Sequence, residues 1–137
     1  MAKRVVFVCT QNSARSQLAA AIWSRRSQVP VASAGTQPVR RIHPRALKVA
    51  RRHGLDPVDW RTAHLSDVVR RGDLLIAVCD NAYEHLLPEQ RPRLHWSIPD
   101  PAPADTDAAF EAAYTDIANR VERLAPTLSP EAARSTR

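Results

Sequence analysis

Short apolar runs alternate along the chain with segments in which apolar residues recur every three or four positions. The run Arg4–Cys9 is nearly all apolar and rich in β-branched residues, which is the pattern of a strand buried on both faces. After a polar turn, Leu18, Ala21 and Ile22 recur at helical spacing and predict a helix over 14–26. The chain therefore begins with a strand, a polar loop and a helix.

The same alternation continues as far as residue 124. The pattern predicts further strands over 29–34, 74–79 and 94–97, and further helices over 44–53, 66–72, 81–87 and 107–124. Strands that alternate with helices are typical of right-handed crossovers and a parallel sheet. We therefore predict an α/β fold, a three-layer α/β/α sandwich around a four-stranded parallel sheet.

Length and composition limit the class of protein. A chain of 137 residues with 44% apolar content can bury one core without disulfides. Its apolar stretches are far shorter than the roughly 18 residues of a membrane span, and its first residues do not resemble a signal peptide. We expect one catalytic domain over 4–128, a flexible C-terminal tail over 129–137, no association with membranes, and a cytoplasmic location.

Charge and cysteine content point towards small anions and thiol chemistry. The formal net charge is +6, but the basic residues are spread along the chain without interleaved aromatic residues, so we expect no nucleic-acid partner. With only Cys9 and Cys79, a reactive thiol or a transient redox pair is favoured over a structural disulfide. Each cysteine ends a predicted strand, and ligands of such sheets bind beyond the carboxyl ends of the strands. If the first and third strands are neighbours, both cysteines open onto one crevice.

The loop between the first strand and the first helix has the features of an oxyanion site. Unpaired N–H groups and the positive dipole end at a helix start favour an anion. The same field, with Arg15 nearby, predicts a lowered pKa for the Cys9 thiol and a nucleophilic thiolate. Arg15 can clamp two oxygens, and Asn12 tolerates the left-handed backbone that a tight loop needs. The predicted oxyanion-binding residues are Thr10, Gln11, Asn12, Ser13, Ala14, Arg15 and Ser16.

A simpler interpretation is that Cys9 ends a core strand and Arg15 is a surface charge, since cysteine is often buried and inert. The position of the loop between a buried strand and a helix start favours the functional interpretation.

The loop 8–17 resembles the anion loop of the low-molecular-weight tyrosine phosphatase superfamily, and the arsenate reductase branch most of all. Similar segments follow in order over about 4–125, namely 33–35, the helix start at His43 and Pro44, the strand ending at Cys79, and 95–102. The resemblance implies the strand order 2-1-3-4. It also implies that Asp100, which is followed by Pro101, is the general acid, although an Asp-Pro pair is also a common turn.

The chain departs from that branch at several positions. Leu86 stands where three-cysteine reductases carry a further cysteine, seven residues after Cys79. The potassium site of the family also lacks its expected acids, because Ala20 stands in place of a glutamate and His64 lies near an expected aspartate. We assign no metal.

Three functions remain open from the sequence. An arsenate reductase or arsenate-thiol transferase is favoured by Cys79, which resembles a resolving cysteine, and by Ala102, where the phosphatases tend to carry aromatic residues. A protein-tyrosine phosphatase needs only Cys9, Arg15 and Asp100, and Cys79 would then be a core residue. A non-catalytic anion sensor is the third. For the reductase we expect a monomer without a bound cofactor, reduced by thioredoxin or by mycothiol with mycoredoxin. The second reductant is considered because an Arg-rich and Ala-rich composition suggests an actinobacterium.

Overall fold

A computed structural model describes residues 4–57, 60–90 and 92–128 of the chain, so the tail predicted over 129–137 lies outside the described residues. It contains four strands and five helices in these ranges: β1 Arg4–Cys9, α1 Arg15–Arg26, β2 Val31–Gly35, α2 Pro44–Arg52, α3 Leu65–Val68, β3 Asp73–Ala77, α4 Asp80–Glu84, β4 Arg93–His95 and α5 Asp107–Leu128.

The four strands form one parallel sheet in the order β2-β1-β3-β4, and the predicted fold class and strand order are confirmed. β1 lies in the middle, where Val5 pairs with Val31 on one side and Leu74 on the other. Because helices cover a parallel sheet, its central strand is apolar on both faces. Val5, Val6, Phe7 and Val8 are accordingly fully buried.

The helices flank this sheet. α1 and α2 pack against α5, which buries Phe110, Ile117 and Val121, while α3 contacts β2 and α4 contacts β1 and β3. Within the described residues, no helix is both long enough and apolar enough to cross a bilayer.

Several predicted boundaries differ from the structure. β3 ends at Ala77 rather than at Cys79, because Cys79 caps the N-terminus of α4 and its Sγ accepts the N–H of Ala82 at 3.4 Å. α3 covers Leu65–Val68 rather than the predicted 66–72, and it is capped by the His64 ring, whose Nδ1 accepts the N–H of Ser66. β4 covers Arg93–His95, and α5 continues to Leu128.

A largely buried ion pair joins the starts of β1 and β3. The Asp73 carboxylate accepts hydrogen bonds from the Arg4 side chain at 2.8 and 3.0 Å and from the N–H of Arg70 at 2.7 Å. Burial raises the pKa of Asp73, but these donors outweigh burial and the pKa lies below its usual value. We expect Asp73→Ala to lower the free energy of unfolding by about 3 kcal/mol in urea denaturation at pH 7, because it leaves the Arg4 charge without its partner.

The pH dependence of this loss follows from the lowered pKa. A carboxylate with a lowered folded-state pKa contributes stability above its unfolded pKa and loses it as the pH falls through the folded value. The difference between the native chain and Asp73→Ala should therefore shrink below about pH 4. An equal difference at pH 3 and pH 7 would contradict this account of the ion pair.

Candidate active site

The loop between β1 and α1 turns five successive carbonyl groups away from its centre. Four of them accept backbone N–H groups at 2.8 to 3.1 Å, and the carbonyl of Asn12 accepts the side-chain amide of Gln17 at 3.0 Å. The four backbone pairs are Cys9 with Thr36, Thr10 with Gln37, Gln11 with Val39, and Ser13 with His43. A trans peptide directs its N–H opposite to its C=O, so the N–H groups of residues 10–14 point towards the centre of the loop. This arrangement is suited to an oxyanion.

Asn12 holds the shape of this loop. It is fully buried with a φ of 55°, in the left-handed region. Its Nδ2 donates to the hydroxyls of Ser16 at 2.7 Å and Ser33 at 3.2 Å, and its Oδ1 accepts the N–H of Ala63 at 2.9 Å. A side chain with both donor and acceptor atoms is needed to make these contacts together, which explains an asparagine here.

Gly35 lies directly behind the loop. A Cβ atom at this position would lie 2.7 Å from the carbonyl oxygen of Thr10 and 2.9 Å from the Cβ of Asn12. The backbone of β2 can therefore approach the loop only where there is no side chain. The glycine of the 33–35 segment is thus required by the packing of the loop.

Cys9 is buried at the base of the loop, with 3% of its surface exposed. Its Sγ lies 2.8 Å from the Ser16 hydroxyl and accepts the N–H of Asn12 at 3.1 Å. Burial is the largest influence and raises the pKa of the Cys9 thiol, while Ser16, Arg15 and the N–H of Asn12 lower it. The predicted lowered pKa is therefore wrong, because the thiol is desolvated and Arg15 directs its guanidinium to the carbonyl of Ile98 at 2.8 Å.

We expect Ser16→Ala to raise the pKa of Cys9 further, because it removes a hydrogen bond that stabilises the thiolate. A raised thiol pKa means less thiolate at neutral pH, so alkylation of Cys9 by iodoacetamide should be slower at pH 7 and its pH profile should move to higher pH. Mass spectrometry of the Cys9 peptide measures both effects, and Ser66→Ala, on the exposed surface of α3, is the matched control. An unchanged profile in Ser16→Ala would exclude this role for Ser16.

One cavity of about 690 Å³ brings together all four residues that the sequence singled out for catalysis. Its lining includes Cys9, which is almost fully buried, Asp100, whose side chain is half exposed, and both Arg15 and Cys79. Cys9 and Cys79 are 70 positions apart in the chain, and the adjacency of β1 and β3 places them on the same cavity. Both thiols are free and buried in the structure.

Cys79 contacts the loop between β1 and α1 through Thr10. The Thr10 hydroxyl donates to Oδ1 of Asn81 at 2.9 Å and lies 3.6 Å from Sγ of Cys79. Since the hydroxyl proton is committed to Asn81, the Cys79 thiol is the donor in its contact with Thr10. Thr10, the residue after Cys9, therefore holds the loop against the start of α4 through Cys79 and Asn81.

Asp100 lies at the mouth of the cavity with its side chain half exposed. One carboxylate oxygen accepts the N–H of Ala102 at 3.0 Å, and the other lies 3.7 Å from Arg15. The carboxyl group thus borders the cavity and is accessible to water.

The sequence did not single out Asp80, which also lines the cavity. Hydrogen bonds from Ser97 and from His95, the latter at 2.8 Å, lower the pKa of this carboxyl group. Its only sequence signal was its place directly after Cys79. Ser33 and Gln17 were not singled out either, because Ser33 contacts Asn12 across 21 positions of the chain and Gln17 bonds to Arg61 across 44 positions.

Within the ranges 4–57, 60–90 and 92–128, no three side chains of histidine, cysteine, aspartate or glutamate form a group that could hold a metal ion.

The fold and the site together define a class of α/β protein that places a cysteine thiol at a loop between the first strand and the first helix, with backbone N–H groups turned towards the centre of that loop. The chain belongs to the family described as low molecular weight phosphotyrosine protein phosphatase, which matches residues 4–134. The resemblance noted in the sequence is thereby confirmed.

Similar proteins of known name include both reductases and phosphatases. An arsenate reductase of Bacillus licheniformis is 31% identical over 137 residues, covering 91% of this chain and 96% of that protein. The arsenate reductase of Archaeoglobus fulgidus has a TM-score of 0.78 at 26% identity, over 88% of this chain and 98% of its own. The tyrosine phosphatase Wzb of Escherichia coli K30, in complex with sulphate, has a TM-score of 0.85 at 25% identity, over 94% and 100%. A thioredoxin-dependent arsenate reductase of Corynebacterium glutamicum has a TM-score of 0.71 at 26% identity, over 90% and 60%.

Proposed function

We propose that this protein is a thiol-linked arsenate reductase or arsenate-thiol transferase. The observation that carries the proposal is the position of Cys79 on the cavity that Cys9 also lines. A phosphatase needs one cysteine, whereas reduction of arsenate by the protein requires a second thiol to supply electrons. The arsenate reductases among its relatives, which match over nearly their whole length, support the same function.

In the first step, arsenate lies in the loop, bound by the N–H groups of residues 10–14 and by Arg15. Because burial favours the neutral Cys9 thiol, its proton passes to an oxygen of the bound dianion. The thiolate then forms a sulfur–arsenic bond while one arsenic–oxygen bond breaks, and Asp100 protonates the departing oxygen, which leaves as water. The product is an arsenate ester of Cys9.

In the second step, the Cys79 thiol passes its proton to an oxygen of the arsenic group, and the resulting thiolate attacks the sulfur of Cys9. A disulfide forms, the sulfur–arsenic bond breaks, and its electron pair stays on arsenic, which leaves as arsenite. The two sulfurs are oxidised by two electrons in total, and arsenic is reduced from the +5 to the +3 state. An external thiol that attacks the adduct directly is the alternative second step, and it would make the protein an arsenate-thiol transferase.

The rim of the cavity supports a small inorganic substrate. Ala102, rather than an aromatic residue, lines it next to Asp100. Without aromatic side chains at this position, a substrate ring has no stacking partner there, whereas a tetrahedral oxyanion is held by the loop itself.

An external thiol must regenerate the two cysteines after each turnover. Thioredoxin is supported by the name of the Corynebacterium glutamicum relative, and mycothiol with mycoredoxin by the Arg-rich composition. We propose that the protein works as a monomer in the cytoplasm, where such reductants keep thiols reduced.

Protein-tyrosine phosphatase activity is the second candidate. Its support is the high structural similarity to Wzb, together with Cys9, Arg15 and Asp100 on one cavity. Arsenate and phosphate have the same shape and charge, so weak ester hydrolysis beside arsenate reduction is compatible with the first candidate.

The two candidates are separated by assaying arsenite release from arsenate beside hydrolysis of an aryl phosphate. Thioredoxin with its reductase and mycothiol with mycoredoxin are supplied in parallel. Arsenite release that depends on one of these reductants and on Cys9 supports the reductase. Rapid ester hydrolysis without arsenite would make the protein a phosphatase.

A further inference from the structure

The carbonyl group of Asn12 is held differently from the other carbonyl groups of the loop. Those of Cys9, Thr10, Gln11 and Ser13 bond to backbone N–H groups, which no ordinary substitution removes. The carbonyl of Asn12 bonds to the side chain of Gln17. The orientation of the peptide between Asn12 and Ser13 therefore depends on one replaceable side chain.

Gln17 is a buried amide on the first turns of α1, with 5% of its surface exposed. Its Nε2 donates one proton to the carbonyl of Asn12 at 3.0 Å and the other to the carbonyl of Arg61 at 2.8 Å. An amide nitrogen carries two protons, and both are used. Segment 61–63, which also supplies the N–H of Ala63 to Asn12, is thus tied to the loop at two points.

We propose that Gln17 is a positioning residue that orients the peptide groups on both sides of Asn12. By drawing the Asn12 carbonyl away from the cavity, it turns the opposite N–H, that of Ser13, towards the bound oxyanion. By fixing Asn12 it also holds the N–H that donates to Sγ of Cys9 at 3.1 Å.

Without the amide of Gln17, the Asn12 carbonyl is free to rotate towards the anion, where its partial negative charge repels the oxyanion and the thiolate. A purely structural role would require only a side chain of the right volume. A methionine has that volume but carries no N–H donors, so it distinguishes the two roles.

The test compares Gln17→Met with Trp23→Phe. Trp23, also on α1, donates from Nε1 to the carbonyl of Val29 at 3.0 Å and lies away from the loop. Gln17→Met removes two hydrogen bonds from a buried side chain of α1 to backbone carbonyls, and Trp23→Phe removes one, so both variants should lower the Tm. Inorganic phosphate binding is measured by calorimetry, and Cys9 alkylation is followed against pH by mass spectrometry of its peptide.

We expect Gln17→Met to bind phosphate about tenfold more weakly, the effect of one lost hydrogen bond to a charged group, and to move the alkylation profile to higher pH. Trp23→Phe should change neither the phosphate affinity nor the pH profile of Cys9 alkylation. If Gln17→Met does not fold, Gln17→Asn, which keeps the amide but shortens its reach, is compared in the same way. A lower Tm with unchanged phosphate affinity and unchanged alkylation would overturn the proposal. These measurements need no arsenate, so their outcome is independent of the proposed reductase activity.

Discussion

Replacement of Cys9 by serine is expected to abolish both arsenite release and aryl phosphate hydrolysis, with a loss on the order of a millionfold in kcat. Cys9 Sγ is the group that forms the covalent adduct in both reactions. A serine hydroxyl in the same position is far less acidic than a thiol, so it gives its proton to the bound dianion much less readily and is a poor nucleophile. The kcat of the variant is measured for arsenite release and for aryl phosphate hydrolysis, with reductant in excess.

Binding of inorganic phosphate is the control for this variant. The loop carbonyls of residues 9–13 keep their partners when sulfur is replaced by oxygen, so inorganic phosphate should still bind to Cys9→Ser. Turnover that survives in Cys9→Ser would show that the nucleophile lies elsewhere.

Replacement of Cys79 by serine is expected to separate the two reactions. Arsenite release with thioredoxin should fall at least about a thousandfold, equivalent to roughly 4 kcal/mol of activation free energy, because no disulfide can form. Aryl phosphate hydrolysis should persist, because it uses only Cys9, Arg15 and Asp100. Serine keeps an oxygen that can accept the N–H of Ala82, so the cap of α4 is retained.

The same variant also distinguishes the two routes of the second step. If arsenite release continues with mycothiol and mycoredoxin, an external thiol attacks the Cys9 adduct directly and the protein is an arsenate-thiol transferase. If hydrolysis of aryl phosphate is lost together with arsenite release, Cys79 has a structural role and its assignment as a resolving cysteine fails.

Much of the fold could be predicted because its signals are local. The all-apolar run of β1 indicated a central strand, and the helical spacing of Leu18, Ala21 and Ile22 indicated α1. Boundaries were less certain where a side chain competes with the backbone. His64 caps α3, which begins at Leu65 rather than at residue 66, and Cys79 caps α4 rather than ending β3. Both caps depend on a ring or thiol reaching an N–H two or three residues further on.

The electrostatics of the site could not be predicted in the same way. The loop sequence indicates a helix start and an arginine, which both favour thiolate, but it does not show that Cys9 is buried or that Arg15 bonds to Ile98. The contacts of Gln17 with Arg61 and of Asn12 with Ala63 join segments more than 40 positions apart. Only the folded chain brings such partners together, and they decide the orientation of the loop.

The most direct test of the account is a single-turnover experiment without any added thiol. Reduced protein is mixed with arsenate, arsenite is quantified, and the protein is analysed by intact mass and peptide mapping. The account predicts one arsenite for each protein molecule, together with a Cys9–Cys79 disulfide and the loss of two hydrogens. Protein that releases no arsenite under these conditions and keeps both thiols would contradict the assignment of Cys79 as the residue that completes the reduction.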